Sequence, residues 1–183
     1  MQAIQADFVM ADGHKWLLGP EGLALFYCRE ELRDQLTLHE YGWHMVRDIG
    51  IYERKDWQIA ASARRFECGS PNLLGAYALN ASLSLLQEIG MQHVEAMVLA
   101  RARYLIEAIR QHAELVLITS GQPGRYAGIV TFRHQRVDNA TLFRHLTGQG
   151  VVCAMRGGGI RFSPHFYLAE SQLDQALAVA TSL

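Results

Sequence analysis

The segment Asp7–Tyr27, DFVMADGHKWLLGPEGLALFY, constrains the chain most. Phe8, Val9 and Met10 form a short apolar run, consistent with a buried strand. Leu23 to Tyr27 form a second run, rich in aliphatic and aromatic residues. Gly13, Gly19, Pro20 and Gly22 punctuate the space between them. The pattern predicts strand, tight turn and strand, with Lys15 delivered on the turn at the end of the first strand. A lysine is unusual there, because its strongly hydrated ammonium is costly to desolvate. The 17 Lys+Arg residues include just two lysines, Lys15 and Lys55. Lysine can lose its proton when desolvated and attack a carbonyl, which arginine does not do. The same pattern also suits a lysine that snorkels to solvent from a turn.

The chain has 183 residues, enough for one ordinary domain or two small ones with a sizeable core. Half the residues are hydrophobic and 19% are charged, as in a soluble globular protein. The net charge of -1 gives no basic field for nucleic acid or an anionic membrane. No apolar run approaches the ~20 residues that a membrane helix needs. The first residues, MQAIQADF, carry no secretory signal pattern. Cys28, Cys68 and Cys153 are widely spaced and odd in number, which fits a reducing cytoplasm better than a disulfide framework.

Arg29 to Leu36 read as a short charged helix. Residues 37–64, holding Trp43, Tyr52 and Trp57, read as irregular. A stretch of that length is usually functional or interfacial. HEYGWH at His39–His44 fails the metalloprotease spacing, which needs two His four apart on one helical face, so no metal site is expected. RFECGSPN, Arg65–Asn72, places a turn at Gly69–Asn72 just before a helix. Backbone N–H groups and a hydroxyl there can hold a phosphate, or Ser70 or Asn72 can simply cap the helix.

Leu73 to Ile89 are helical by pattern, with Leu79, Leu83 and Leu86 on a common face. Gly90 interrupts. Met91 to His112 form a second amphipathic helix, with Arg101, Arg103 and Arg110 outward, and the helix pair is the candidate link between two domains. Beyond it, strands at 115–118, 129–133, 151–155 and 160–163 alternate with helices at 139–149 and 170–183, which is a small α/β unit. The triple glycine Gly157–Gly159 leads into a strand, so it is not a dinucleotide fingerprint. Arg161, in GGIRFSPHFY at Gly158–Tyr167, could present its planar fork to a carboxylate. Composition alone favours an edge-strand arginine facing water. Arg156 is a second candidate.

Three stretches, Asp7–Tyr27, Arg65–Asn72 and Gly158–Tyr167, together resemble class V aminotransferases in order and spacing. That family includes cysteine desulfurases, selenocysteine lyases, kynureninases and isopenicillin-epimerase-like enzymes. The resemblance implies an α/β fold: the C-terminal part of a fold type I large domain (1–89) and a small C-terminal α/β domain (90–183). It implies pyridoxal 5'-phosphate as cofactor, Lys15 as the Schiff-base lysine and proton carrier, and an amino acid as substrate. His14 and Asp12 would flank the cofactor. Gly69 and Ser70 would reach across a homodimer interface to the cofactor phosphate of the other subunit. Arg161 would bind the substrate's α-carboxylate.

The sequence departs from the family pattern in places. Asp12 stands where Ser or Thr often contacts phosphate, and its charge opposes a dianion unless it points elsewhere. Cys153 lies eight residues before Arg161, not on the mobile loop where desulfurases carry their cysteine nucleophile. Leu168 follows Tyr167 where the family usually has Asn. The phosphate loop, ring-stacking aromatic and pyridinium-pairing aspartate of the family's first half have no counterpart here. The expectation is therefore an incomplete chain with little activity alone, such as a truncated gene or proteolytic product. The alternative is a non-catalytic dimerisation domain that uses Trp43, Tyr52 and Trp57 as interface residues.

Overall fold

A computed structural model describes all 183 residues apart from the side chain of Gln2. The chain divides into two compact units, Met1–Glu88 and Ile89–Leu183. Among the described residues no helix is long and apolar enough to cross a membrane.

In the first unit, β1 (Phe8–Asp12) pairs antiparallel with β2 (Ala24–Cys28), in the register Val9 to Tyr27 and Asp12 to Ala24. The two apolar runs do form strands. The expected burial fails: Phe8 is 42% and Met10 71% exposed. The reason is geometric. These strands form a two-stranded sheet of their own, and such a ribbon leaves outer edges and faces open. The short charged helix is a 3-10 turn over Glu30–Gln35. Residues 37–62 are irregular apart from one bridge, Val46 to Ile59, and a further 3-10 turn spans Ala63–Phe66. Helix α1 (Leu73–Ile89) buries Leu79 and Leu86. Leu74 and Tyr77 on its other side are 84% and 78% exposed.

The second unit carries the main core. Helix α2 (Met91–Gln111) follows Gly90, whose φ of 90° suits a residue without Cβ. Strands β3 (Leu115–Leu117), β4 (Val130–His134), β5 (Ala154–Arg156) and β6 (Gly159–Phe162), with helices α3 (Asn139–Gly148) and α4 (Glu170–Ala180), complete it. The strands form one antiparallel sheet in the order β3-β4-β6-β5. Phe132 and Ile160 sit in a cluster with Leu105 and Ile109 of α2, Leu142 and Leu146 of α3, and Leu173 and Leu177 of α4. Phe132 and Phe162 pack edge-to-face at 5.0 Å.

Three expectations shift here. The fifth strand begins at Ala154 rather than Val151, which puts Cys153 just ahead of it. Gly159 belongs to β6 rather than to the turn. Arg101 does not face outward: its side chain is 18% exposed, donates to Leu168 O at 2.6 Å and pairs with Glu170 at 3.0 Å. Helix α2 here carries a cation that ties down the start of α4.

Candidate functional site

The lysine turn is clasped at its base. Gly13 is buried, donates its N–H to Leu23 O at 2.9 Å, and accepts from Gly19 N at 2.7 Å. A Cβ at Gly13 would lie 2.9 Å from Leu23 O, so the close approach needs glycine. Gly19 lies against Leu79 of α1, where an added Cβ would come within 2.6 Å of Cδ1. Leu18 sits in the left-handed region at φ 57°, which an L side chain rarely adopts without support. Its carbonyl accepts from Ser82 Oγ at 2.8 Å, so α1 holds the strained residue in place. Ser82 was not evident from the sequence, because it lies 64 positions from its partner.

Lys15 Nζ donates to the Asp12 carboxylate in a short ion pair. The hydrogen bond from Lys15, and then its charge, hold the Asp12 carboxyl below the usual carboxylate range. Asp12 thus points at the lysine. The expectation of a desolvated amine fails in this chain, where the Lys15 side chain is 61% exposed. Helix α1 packs on the turn at Leu18 and Gly19, while the Lys15 side chain points to water. His14 is exposed beside it.

The Gly69–Ser70 turn lies in the same unit, and both residues are exposed. Of the two expected caps, Asn72 does the work: its Oδ1 accepts from Gly75 N at 2.9 Å at the start of α1. Its Nδ2 donates to Gly22 O at 3.3 Å, which ties this turn to the segment following the lysine turn. The Ser70 hydroxyl has no hydrogen-bond partner among the described residues. Gly69, Ser70, Gly22 and Phe26 line a cleft of about 740 Å³. Cys68 lines it as well.

Trp43, Tyr52 and Trp57 are 46%, 77% and 51% exposed. Tyr41 packs edge-on to Trp57 at 5.9 Å. Arg54 between Asp48 and Asp56 braces the same loop. Among the described residues no group of His, Cys, Asp and Glu is arranged to hold a metal ion.

In the second unit, Arg161 sits in the middle of β6, paired with Thr131 of β4 on one side and Ala154 of β5 on the other. It is therefore not on an edge strand. The side chain is half-buried, and its Nε is buried with no hydrogen-bond partner among the described residues. A buried, unpaired guanidinium N–H is costly unless a ligand completes it. His165 and Tyr167, in the same motif, stack at 5.3 Å. Cys153 is half-buried, and burial pushes its thiol up.

The sequence profile described as "Aminotransferase class-V" matches residues 1–175. The chain belongs to the class-V aminotransferase family. Among relatives of this family, the "Uncharacterized aminotransferase YcbU" of Bacillus subtilis (strain 168) is 34% identical over 172 residues, covering 93% of this chain and 44% of the relative. A cysteine desulfurase of Klebsiella pneumoniae (strain 342) is 32% identical over 132 residues, covering 72% of this chain and 31% of the relative. The apo cysteine desulfurase from Thermococcus onnurineus NA1 superimposes with a TM-score of 0.83 at 23% identity, over 97% of this chain and 47% of that one. The cystine C-S lyase C-DES in complex with its product cysteine persulfide gives 0.86 at 20% identity, over 98% and 48%. A C-DES mutant has been solved with glycine covalently linked to its pyridoxal-phosphate cofactor. These likenesses show the fold: the C-terminal part of a fold type I large domain followed by a small α/β domain. The chain spans less than half the length of the relatives it matches.

Proposed function

We propose that this chain supplies the lysine-bearing half of a pyridoxal-phosphate enzyme that acts on an amino acid. One observation carries the reading. A lone lysine stands on a turn clasped by Gly13, Gly19 and Ser82, in a chain matched by the class-V profile from end to end of that turn. The residues fit the cofactor: a primary amine for its aldehyde, and an unpartnered Ser70 hydroxyl beside exposed Gly69 for its phosphate. In a homodimer in the cytoplasm, Gly69 and Ser70 would serve the phosphate in the opposite subunit. His14 and Asp12 would flank Lys15. Once bound, the cofactor ring supplies an electron sink.

Lys15 Nζ then carries the proton to and from the substrate α-carbon as general acid and base. Asp12 holds the amine on its turn until the cofactor arrives. Arg161 takes the α-carboxylate, which completes its orphaned Nε. Transamination or related lyase and epimerase chemistry follows from this set. Cysteine desulfuration through a thiol nucleophile is disfavoured, because Cys153 lies directly ahead of β5, eight residues before Arg161, and burial pushes its thiol up. Units 1–89 and 90–183 would then be the remnant of the large domain and the small domain.

Alone, the chain is expected to have little activity. The test joins it behind the first half of the Bacillus relative and compares hybrid and isolated chain for visible cofactor absorbance and amino-acid consumption. Both signals should appear in the hybrid and be nearly absent from the isolated chain. A folded, dimeric hybrid without cofactor would favour the second reading, a non-catalytic dimerisation domain. The exposed Trp43, Tyr52 and Trp57 support that reading.

A further inference from the structure

The second unit's sheet has helices on one face. Phe132, Ile160 and Phe162 point into that helical core. Side chains alternate along a strand, so Arg161 lies on the other face. Its direct partner across the β5–β6 pair is Ala154, and Arg156 pairs with Gly159. Arg156 is therefore the diagonal neighbour of Arg161 on that face, about 7–8 Å away and within reach of long side chains. On the other side Arg161 pairs with Thr131, and Arg133, two residues on, shares the face. Three arginines thus flank Gly159 by register, and Ile118 Cδ1 lies 2.8 Å from where a Cβ of Gly159 would stand.

None of the three takes part in an ion pair among the described residues, where seven such pairs occur. Three like charges without an acid repel one another. The backbone next to Arg156 is also held in place. The β5–β6 connection is a two-residue turn, Gly157 and Gly158, with φ of 63° and 81°. Asn139 Nδ2 at the start of α3 donates to Gly158 O at 2.9 Å and pins that turn.

We infer that this face selects amino acids that carry a second anionic group, with Arg156 as the residue that reads it. The inference rests on the α-carboxylate reading of Arg161 given above. The α-carboxylate meets Arg161, and a distal carboxylate or phosphate meets the fork of Arg156 on the β5 side, with Arg133 on the opposite, β4 side of the same face. A neutral side chain leaves Arg156 without a partner.

Nuclear magnetic resonance of the full chain tests this. Backbone amides of β5 and β6 and the arginine Nε–H signals are followed during titration with L-glutamate, its neutral isostere L-glutamine, and O-phospho-L-serine. The anionic side chains should bind roughly fivefold tighter than glutamine. Better binding of phosphoserine than glutamate would assign the distal group as phosphate, and the reverse as carboxylate. R156Q should bring glutamate to the glutamine level, R156K should keep part of the preference, and R161Q should weaken every ligand. Equal binding of glutamate and glutamine, or a preference that survives R156Q while R161Q still weakens all ligands, would overturn the inference and leave the Arg161 reading standing. If no amino acid moves the Arg161 signals, both fall.

Discussion

The Asp12 carboxylate takes a hydrogen bond from the Lys15 ammonium, three residues along the same turn. The amine at the centre of the proposed chemistry is thus already engaged by a carboxylate within the chain, while remaining largely open to water. Replacing that carboxylate should free it. In D12N, labelling of Lys15 by pyridoxal phosphate and borohydride should rise roughly twofold to fivefold relative to Lys55, the other lysine. In the parent chain, added salt should narrow that difference by screening the pair. Quantitative peptide mass spectrometry gives the ratio. An unchanged ratio would mean that Asp12 does not restrain the amine.

Asn72 joins two turns through one side chain, capping α1 and donating to Gly22 O. Asn72→Ala removes both bonds. The first unit should lose about 1–2 kcal/mol of stability. Hydrogen exchange should speed at Gly75 and in the first turn of α1, and leave α3 and β4 untouched.

How much of this was legible in the sequence differs from place to place. The strand, glycine turn and strand around Lys15 were readable because apolar runs and turn residues are local signals. The order of strands and helices from Leu115 onward was readable for the same reason. The burial of β1 was not, because burial depends on what packs against a strand, and a run such as Phe8–Met10 looks the same on an open ribbon as inside a full sheet. Arg161 was found by its motif but misjudged by composition. Its interior place follows from the β3-β4-β6-β5 order, which is set by pairing across the chain rather than by neighbours. The diagonal placement of Arg156 and Arg133 is likewise a product of register, and the Ser82 brace on Leu18 of a helix-to-turn contact between distant positions.

Phe132 lies fully buried between β4 and the helices of the second unit and meets Phe162 edge-on. Phe132→Ala should cost about 3–5 kcal/mol, through lost burial and the cavity left behind. Denaturant unfolding followed by circular dichroism measures the loss. A cost below about 1 kcal/mol would contradict the central place given to this ring.

Asp138 caps α3, accepting from Ala140 N and Thr141 N at 3.0 Å each. Its bonds to Thr141, side chain first and then backbone, hold its carboxyl below the usual range. A lowered folded value contributes stability that is fully present above the ordinary carboxylate value of about 3.9 and lost as pH falls through the folded value. D138N keeps the cap without the titration. The difference in hydrogen-exchange protection of α3 between parent and D138N should therefore be constant near neutral pH and shrink as the solution is acidified below about pH 4. A difference that grows on acidification would contradict the assignment.

The role of Lys15 is tested most directly by covalent mapping. The chain, joined behind the first half of the Bacillus relative, is loaded with pyridoxal phosphate, reduced with borohydride and digested. The cofactor mass should appear on the peptide holding Lys15, and both that mass and the visible absorbance should vanish in Lys15→Ala. Cofactor fixed on Lys55, on a lysine of the joined half, or retained at full absorbance in Lys15→Ala would contradict the account.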